Sequence, residues 1–250
     1  MVPARIMIRW QSIGRAAVPG SAQELELFRR GDEWSLRVDG LELMNSRQHG
    51  SEDTLAELIC TALAERPSAR VMIGGLGLGF SLATALARLG PGAELVVSEL
   101  VPAVVEWNRG ELGAVAGHPL RDPRVRIELG DVGALIAASR EHYDGILLDV
   151  DNGPEALTHD DNDALYRSAG LRAAFVALRP GGVLGIWSAS RAQGFAQRLQ
   201  RNGFDPQEHT ARGRGPRGGP RHTLWIARKP DRARSPEPER AKPERAKPPR

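Results

Sequence analysis

A single cysteine stands in 250 residues. Cys60 alone excludes an internal disulfide and a cysteine-rich metal site, and its place among the apolar residues of a predicted helix makes it a packing residue. Long apolar runs are missing too, so no stretch reads as a bilayer span, and the first residues lack the apolar core of an export signal. A cytoplasmic location and no membrane partner are the expectations. His159-Asp160-Asp161 has no second histidine spaced for ligation, and no metal is expected. The basic, glycine-rich segment Arg212-Gly213-Arg214-Gly215-Pro216-Arg217-Gly218-Gly219-Pro220-Arg221 holds no aromatic residue that could stack on a base. It offers weak phosphate attraction at most, reads as a solvated loop joining the last two strands, and leaves nucleic acid outside the expected partners despite a net charge of +3.

What is present is enough for one substantial core and a small appendage, at 41% hydrophobic and 26% charged residues. The chain divides into three parts. In residues 1–50, the alternation of Leu25, Leu27, Trp34, Leu36, Val38, Leu41 and Leu43 around Gly31-Asp32 and Asp39-Gly40 predicts a β-hairpin appendage over Glu24 to Asn45. Residues 51–229 form the main domain, opened by a helix from Ser51 to Arg66 whose stripe is Leu55, Leu58, Ile59 and Leu63, with Ser51 as its cap. Residues 230–250 are Pro, Glu, Arg, Lys and Ala for the most part, with Glu-Arg-Ala-Lys-Pro repeated, and predict a disordered tail.

The main domain opens on Val71-Met72-Ile73-Gly74-Gly75-Leu76-Gly77-Leu78-Gly79, and an acid, Glu99, follows a second apolar run. Strand, glycine loop, helix, strand, acid is the order of an α/β domain that holds a nucleoside-containing cofactor. Gly75, Gly77 and Gly79 allow a sharp turn and close approach of backbone to ligand, the helix from Phe80 to Leu89 points its positive end there, and Glu99 can accept both ribose hydroxyls.

Three more apolar strands end in polar or glycine residues: the first runs into Gly130-Asp131, the second into Asp149-Val150-Asp151, and the third is Val183-Leu184-Gly185-Ile186-Trp187. In an open parallel sheet these ends share one crevice, which gathers Glu99, Asp131, Asp149 and Asp151 around one ligand. Four acids suit a sulfonium-bearing nucleoside and an ammonium substrate better than a pyrophosphate. An adenosylmethionine-type donor is thus favoured over NAD.

On these residues the run from about Leu36 to Ser188 resembles the polyamine aminopropyltransferases, the spermidine synthases, which share the fold of class I methyltransferases. The most specific match is Tyr143-Asp144 through Asp149-Val150-Asp151-Asn152-Gly153-Pro154. Gly75 to Gly79, Glu99, Gly130-Asp131 and Arg179-Pro180-Gly181-Gly182 support it. The resemblance implies a doubly wound, mostly parallel seven-stranded α/β sheet. It implies decarboxylated S-adenosylmethionine, or S-adenosylmethionine itself, as donor substrate, and a small-molecule amine as acceptor. Glu99 would then grip ribose and Asp131 the adenine amine above Gly75, Gly77, Gly79 and Gly130. Asp149 would take the proton of the attacking amine while Asp151 anchors it.

Leu78 stands where that family's glycine loop carries an aspartate for the donor's amine. Two alternatives therefore stay open, a small-molecule methyltransferase on the same scaffold and a non-catalytic nucleoside-binding protein that uses its hairpin as a homodimer surface.

Overall fold

The structure, a computed structural model, describes residues 8–150 and 164–231. Asp151, the Asn152-Gly153-Pro154 run, His159-Asp160-Asp161 and the tail from 232 onward lie outside the described residues.

The described residues contain two sheets. The first is wholly antiparallel, with four strands in sequence order: β1 (Gln11–Ala17), β2 (Glu24–Arg30), β3 (Glu33–Val38) and β4 (Leu41–Asn45). The predicted appendage over Glu24 to Asn45 is therefore three strands, β2 to β4, of a four-stranded sheet. β1 carries no stripe of large apolar residues, so no periodicity reveals it; it is held by backbone pairing to β2 and by Gly14, where a Cβ would lie 2.7 Å from the indole nitrogen of Trp107. The Asp39-Gly40 signal is borne out, since both residues adopt positive φ (48° and 81°) in the turn between β3 and β4. Leu25, Leu27, Trp34 and Leu36 turn inward and join the main core, so this face of the sheet is covered by the chain itself.

The second sheet has seven strands in the order β10-β11-β9-β8-β5-β6-β7. β5 (Arg70–Gly74), β6 (Glu94–Glu99), β7 (Val125–Leu129), β8 (Tyr143–Leu148) and β9 (Leu178–Ser188) run parallel. β10 (Asp205–Arg212) and β11 (Arg221–Arg228) form an antiparallel hairpin on the β9 edge. The basic segment is the connection within that hairpin, as its composition predicts. β5 and β8 lie at the centre, and β8 is buried along its whole length. Their side chains alternate between two cores: Val71 and Ile73 face one, Met72 the other.

Helices α1 (Gly50–Ala62), α2 (Phe80–Arg88) and α3 (Pro102–Arg109) cover the first face. On the second lie α4 (Val132–Ala137), α5 (Ser168–Ala177) and α6 (Phe195–Arg201). Leu55, Ile59 and Leu63 of the α1 stripe are buried, each contributing about 1.5–3 kcal/mol. α1 settles low on the sheet because Gly185 leaves room: a Cβ there would stand 2.7 Å from Ile59 Cδ1.

Ser51 does not cap α1. His49 occupies that position without a capping bond, and the Gly50 N–H instead donates to the carbonyl of Gly213, 2.8 Å away, in the β10–β11 connection. Cys60 is buried, with its thiol pushed up to about 11 by that burial. No helix among the described residues is long and apolar enough to cross a membrane.

Candidate active site

From β5 the chain order proceeds outward through β6 to β7 on one side, and from β8 to β9 on the other. The reversal lies between β5 and β8, where Gly74 pairs with Leu148. At such a point the connections diverge and leave a crevice beyond the carboxyl ends of the strands. A cavity of about 610 Å³ occupies it. Its floor is made of Gly75, Leu76, Gly77, Ser98, Glu99, Gly130, Asp131, Asp149 and Val150, and its roof of Leu25, Leu36, Val38 and Met44 from the antiparallel sheet. Glu52 and Trp187 also line it, as do Asp39 and Glu42 from the antiparallel sheet.

The glycine loop is built as its sequence predicts. Gly75, Gly77 and Gly79 all have positive φ (85°, 51° and 88°). At Gly75 a Cβ would come within 2.7 Å of the Asp149 carbonyl, and at Gly77 within 2.5 Å of Met44 Sδ. Gly79 is set apart from the cavity and is the residue on which α2 begins. Leu78 is buried in the core and does not line the cavity, so its side chain has no bearing on a ligand there.

Glu99 ends β6 with a buried carboxylate that takes the Leu76 N–H on Oε2 at 2.9 Å and the Val101 N–H on Oε1 at 2.8 Å. Burial holds its pKa above the usual carboxylate range, against the pull of these amides. The amides of Gly77 and Leu100 also act on this carboxylate. Glu99 thus braces the glycine loop as well as facing the cavity. Asp131 is the N-cap of α4, its Oδ1 accepting from the Ala134 N–H at 2.7 Å. Gly130 next to it has φ of 148° and open space where a Cβ would be.

Asp149 follows β8 and accepts from the hydroxyl of Ser81 at 2.7 Å. Burial raises it to about 6. Opposing it is a residue the motif reading missed: Glu52, in the first turn of α1, raised to about 7 by burial and then by the charge of Asp149. The sequence holds a partial signal, which marks the residue as buried without placing it in a site. Glu52 falls on the same helical stripe as Leu55, Ile59 and Leu63, and an acid on a buried stripe asks for a reason.

Its neighbour Asp53 turns aside to His49 (2.7 Å) and Thr84 (3.0 Å), and His49 lies flat on Phe80 with ring centres 3.8 Å apart. Bonding to Asp53 raises the His49 pKa.

Asp144, by contrast, sits at the opposite end of β8, as its place in the sequence predicts. It is buried between Arg66 (2.5 Å), Arg179 (2.7 Å) and the Arg70 N–H (2.8 Å).

Among the described residues that line the cavity none is lysine, arginine or histidine. No group of three or more potential metal ligands occurs among the described residues. As far as the described residues go, the pocket is anionic and carries no cationic side chain in its lining, which suits a positively charged guest.

Comparison with known proteins agrees with this geometry. No family model matches the chain. A polyamine aminopropyltransferase of Mycobacterium tuberculosis is 27% identical over 173 residues, covering 67% of this chain and 31% of that protein. Putrescine N-methyltransferase 2 of Nicotiana tabacum is 34% identical over 116 residues, 46% of this chain and 31% of that protein. The chain therefore spans about a third of the length of these curated relatives. Among solved structures, a spermidine synthase in complex with the transition-state analogue AdoDATO superposes with a TM-score of 0.70 at 16% identity, over 91% of this chain and 82% of that one. The spermidine synthase of Thermotoga maritima gives a TM-score of 0.68 at 16% identity, over 91% and 83%. The fold is that of the spermidine synthases on the methyltransferase-like scaffold, and the resemblance read from the motifs is borne out.

Proposed function

We propose that this chain transfers an aminopropyl group from decarboxylated S-adenosylmethionine to an amine such as putrescine, releasing methylthioadenosine. The observation that carries the reading is the cavity over the glycine loop, which both Glu52 of α1 and Asp149 after β8 line, and whose described lining holds no lysine, arginine or histidine. S-adenosylmethionine bears a carboxylate that would stand unpaired among these acids. Its decarboxylated form ends in an ammonium group and does not.

In this reading the glycine loop, Glu99, Gly130 and Asp131 hold the nucleoside, with Glu99 on the ribose and Asp131 on the adenine amine. The acceptor nitrogen attacks the methylene carbon next to sulfur; the carbon–sulfur bond breaks and its electron pair neutralises the sulfonium. The proton lost by the nitrogen passes to Asp149, whose raised pKa suits a base near neutral pH. Asp151, two residues on in the sequence, would anchor the acceptor. Pre-alignment of two bound reactants supplies much of the rate.

A second reading, methyl transfer to the same class of amine, is favoured by the likeness to putrescine N-methyltransferase. One assay separates them: methylthioadenosine release from decarboxylated S-adenosylmethionine with putrescine, against S-adenosylhomocysteine release from S-adenosylmethionine with putrescine. Product only in the second overturns the aminopropyl reading.

A further inference from the structure

Glu52 and Asp149 reach the same cavity from different elements, and each is held by one hydroxyl. Ser81 of α2 donates to Asp149 Oδ2 at 2.7 Å. Ser51 donates to Glu52 Oε2 at 2.6 Å, and its direction is fixed from behind. The indole N–H of Trp187 can only donate, and it donates to Ser51 Oγ at 3.0 Å. The single proton of Ser51 is thereby left for Glu52, whose Oε1 stays outside this chain of bonds.

Charged and titratable groups around the pair do not neutralise it. On α1 itself, Asp53 adds to the negative field at Asp149 and is engaged by His49. His49 acts on Glu52 in the stabilising sense, and Arg217 of the β10–β11 connection opposes the protonation of His49. From α2 come Ser81 and Thr84, which are hydroxyls, and from β11 comes His222, whose ring leans on Trp187 and whose pKa is lowered by burial. Two carboxylates that line one cavity, with no lysine, arginine or histidine among its described lining, hold a proton more tightly than either would alone.

We propose that Glu52 and Asp149 form one seat for the attacking nitrogen of the acceptor, which enters as an ammonium ion in exchange for a proton that the two carboxylates share while the seat is empty. This rests on the amine-acceptor reading above. The exchange balances: the pair gives one proton to solvent, the ammonium brings one positive charge, and the charge of the cavity is unchanged. Once the seat is filled, both carboxylates are ionised and Asp149 is free to take a proton from the ammonium ion, which restores the lone pair with which the neutral nitrogen then attacks. Glu52 thus makes the seat select cationic amines over neutral alcohols of the same size, and it does so from a helix that carries none of the recognisable motifs.

The test is calorimetric titration of putrescine into the full chain saturated with methylthioadenosine, at about pH 6, in two buffers of different ionisation enthalpy, for the wild type and Glu52→Gln. The wild type is expected to release about one proton per amine bound. Glu52→Gln is expected to release less than about half of that and to bind putrescine at least roughly tenfold more weakly. Its methylthioadenosine affinity stays within about twofold, which shows that the variant is folded. Putrescine binding by the wild type without proton release overturns the seat and leaves the functional reading standing, as does equal release and affinity in Glu52→Gln. Binding of neither putrescine nor methylthioadenosine by the wild type overturns both.

Discussion

Trp187, at the end of β9, donates its indole N–H to the hydroxyl of Ser51 in the first turn of α1, at 3.0 Å and across 136 positions of sequence. The bond ties the wall of the cavity to the helix that supplies Glu52. Replacement of Trp187 by Phe keeps most of the ring and removes the donor, which releases Ser51 to turn away from Glu52. A loss of about 0.5–1.5 kcal/mol is expected, read as an acceptor KM raised roughly three- to tenfold with kcat little changed. Steady-state kinetics at fixed donor would show it.

Asp149→Asn retains shape and a hydrogen-bonding group and removes the base. Turnover should fall by roughly 100-fold or more, while methylthioadenosine affinity is nearly kept. Equal turnover in variant and wild type would remove Asp149 from proton transfer.

Glu99→Gln alters a carboxylate that accepts from both Leu76 and Val101. Only one end of an amide can accept, so the glycine loop loses part of its brace. Nucleoside affinity should weaken by about 1–3 kcal/mol, measured by titration with methylthioadenosine, and the domain should remain folded.

Gly75→Ala and Gly77→Ala both place a side chain at positive φ, yet their neighbours differ. The new methyl at 75 meets the backbone carbonyl of Asp149, which cannot move without β8. At 77 it meets the end of Met44, which can swing aside. Thermal denaturation should therefore show the larger loss for Gly75→Ala. Met44→Ala should recover part of the loss in Gly77→Ala and none in Gly75→Ala.

The pair Glu52 and Asp149 also sets a pH dependence of stability. Both have folded pKa values above their unfolded ones, so between about pH 4 and about pH 7 the folded chain binds more protons than the unfolded chain. Their contribution is fully present below the unfolded values and is lost as pH rises through the folded ones. The melting temperature of the wild type should fall relative to Glu52→Gln between about pH 5 and about pH 7.5, by roughly 4 °C or more, and saturating putrescine should close the gap. Parallel curves for the two proteins would show that Glu52 is not protonated in the fold.

The glycine loop and the acids at strand ends were legible because they are local. A positive φ at Gly75 is demanded by the turn from β5 into α2, and Glu99, Asp131 and Asp149 lie where a parallel strand ends. Chain order and the direction of each strand suffice to bring them to one crevice. The hairpin turn at Asp39-Gly40 and the connection holding the basic segment were legible for the same reason. β1 was not, because a strand held by backbone pairing leaves little periodicity in its side chains.

By itself, then, the sequence determined the parallel sheet, the glycine loop and the acids at the strand ends, since each of these depends on contacts within a few residues or on strand polarity. Tertiary structure alone decided that Glu52 belongs to the site, that Leu78 does not, and that the antiparallel sheet is a roof. The physical reason is that burial and repulsion depend on distance in space: an ordinary helical glutamate becomes a partner for Asp149 only when α1 lies low on the sheet over Gly185, pinned at its first turn by Trp187 and Gly213.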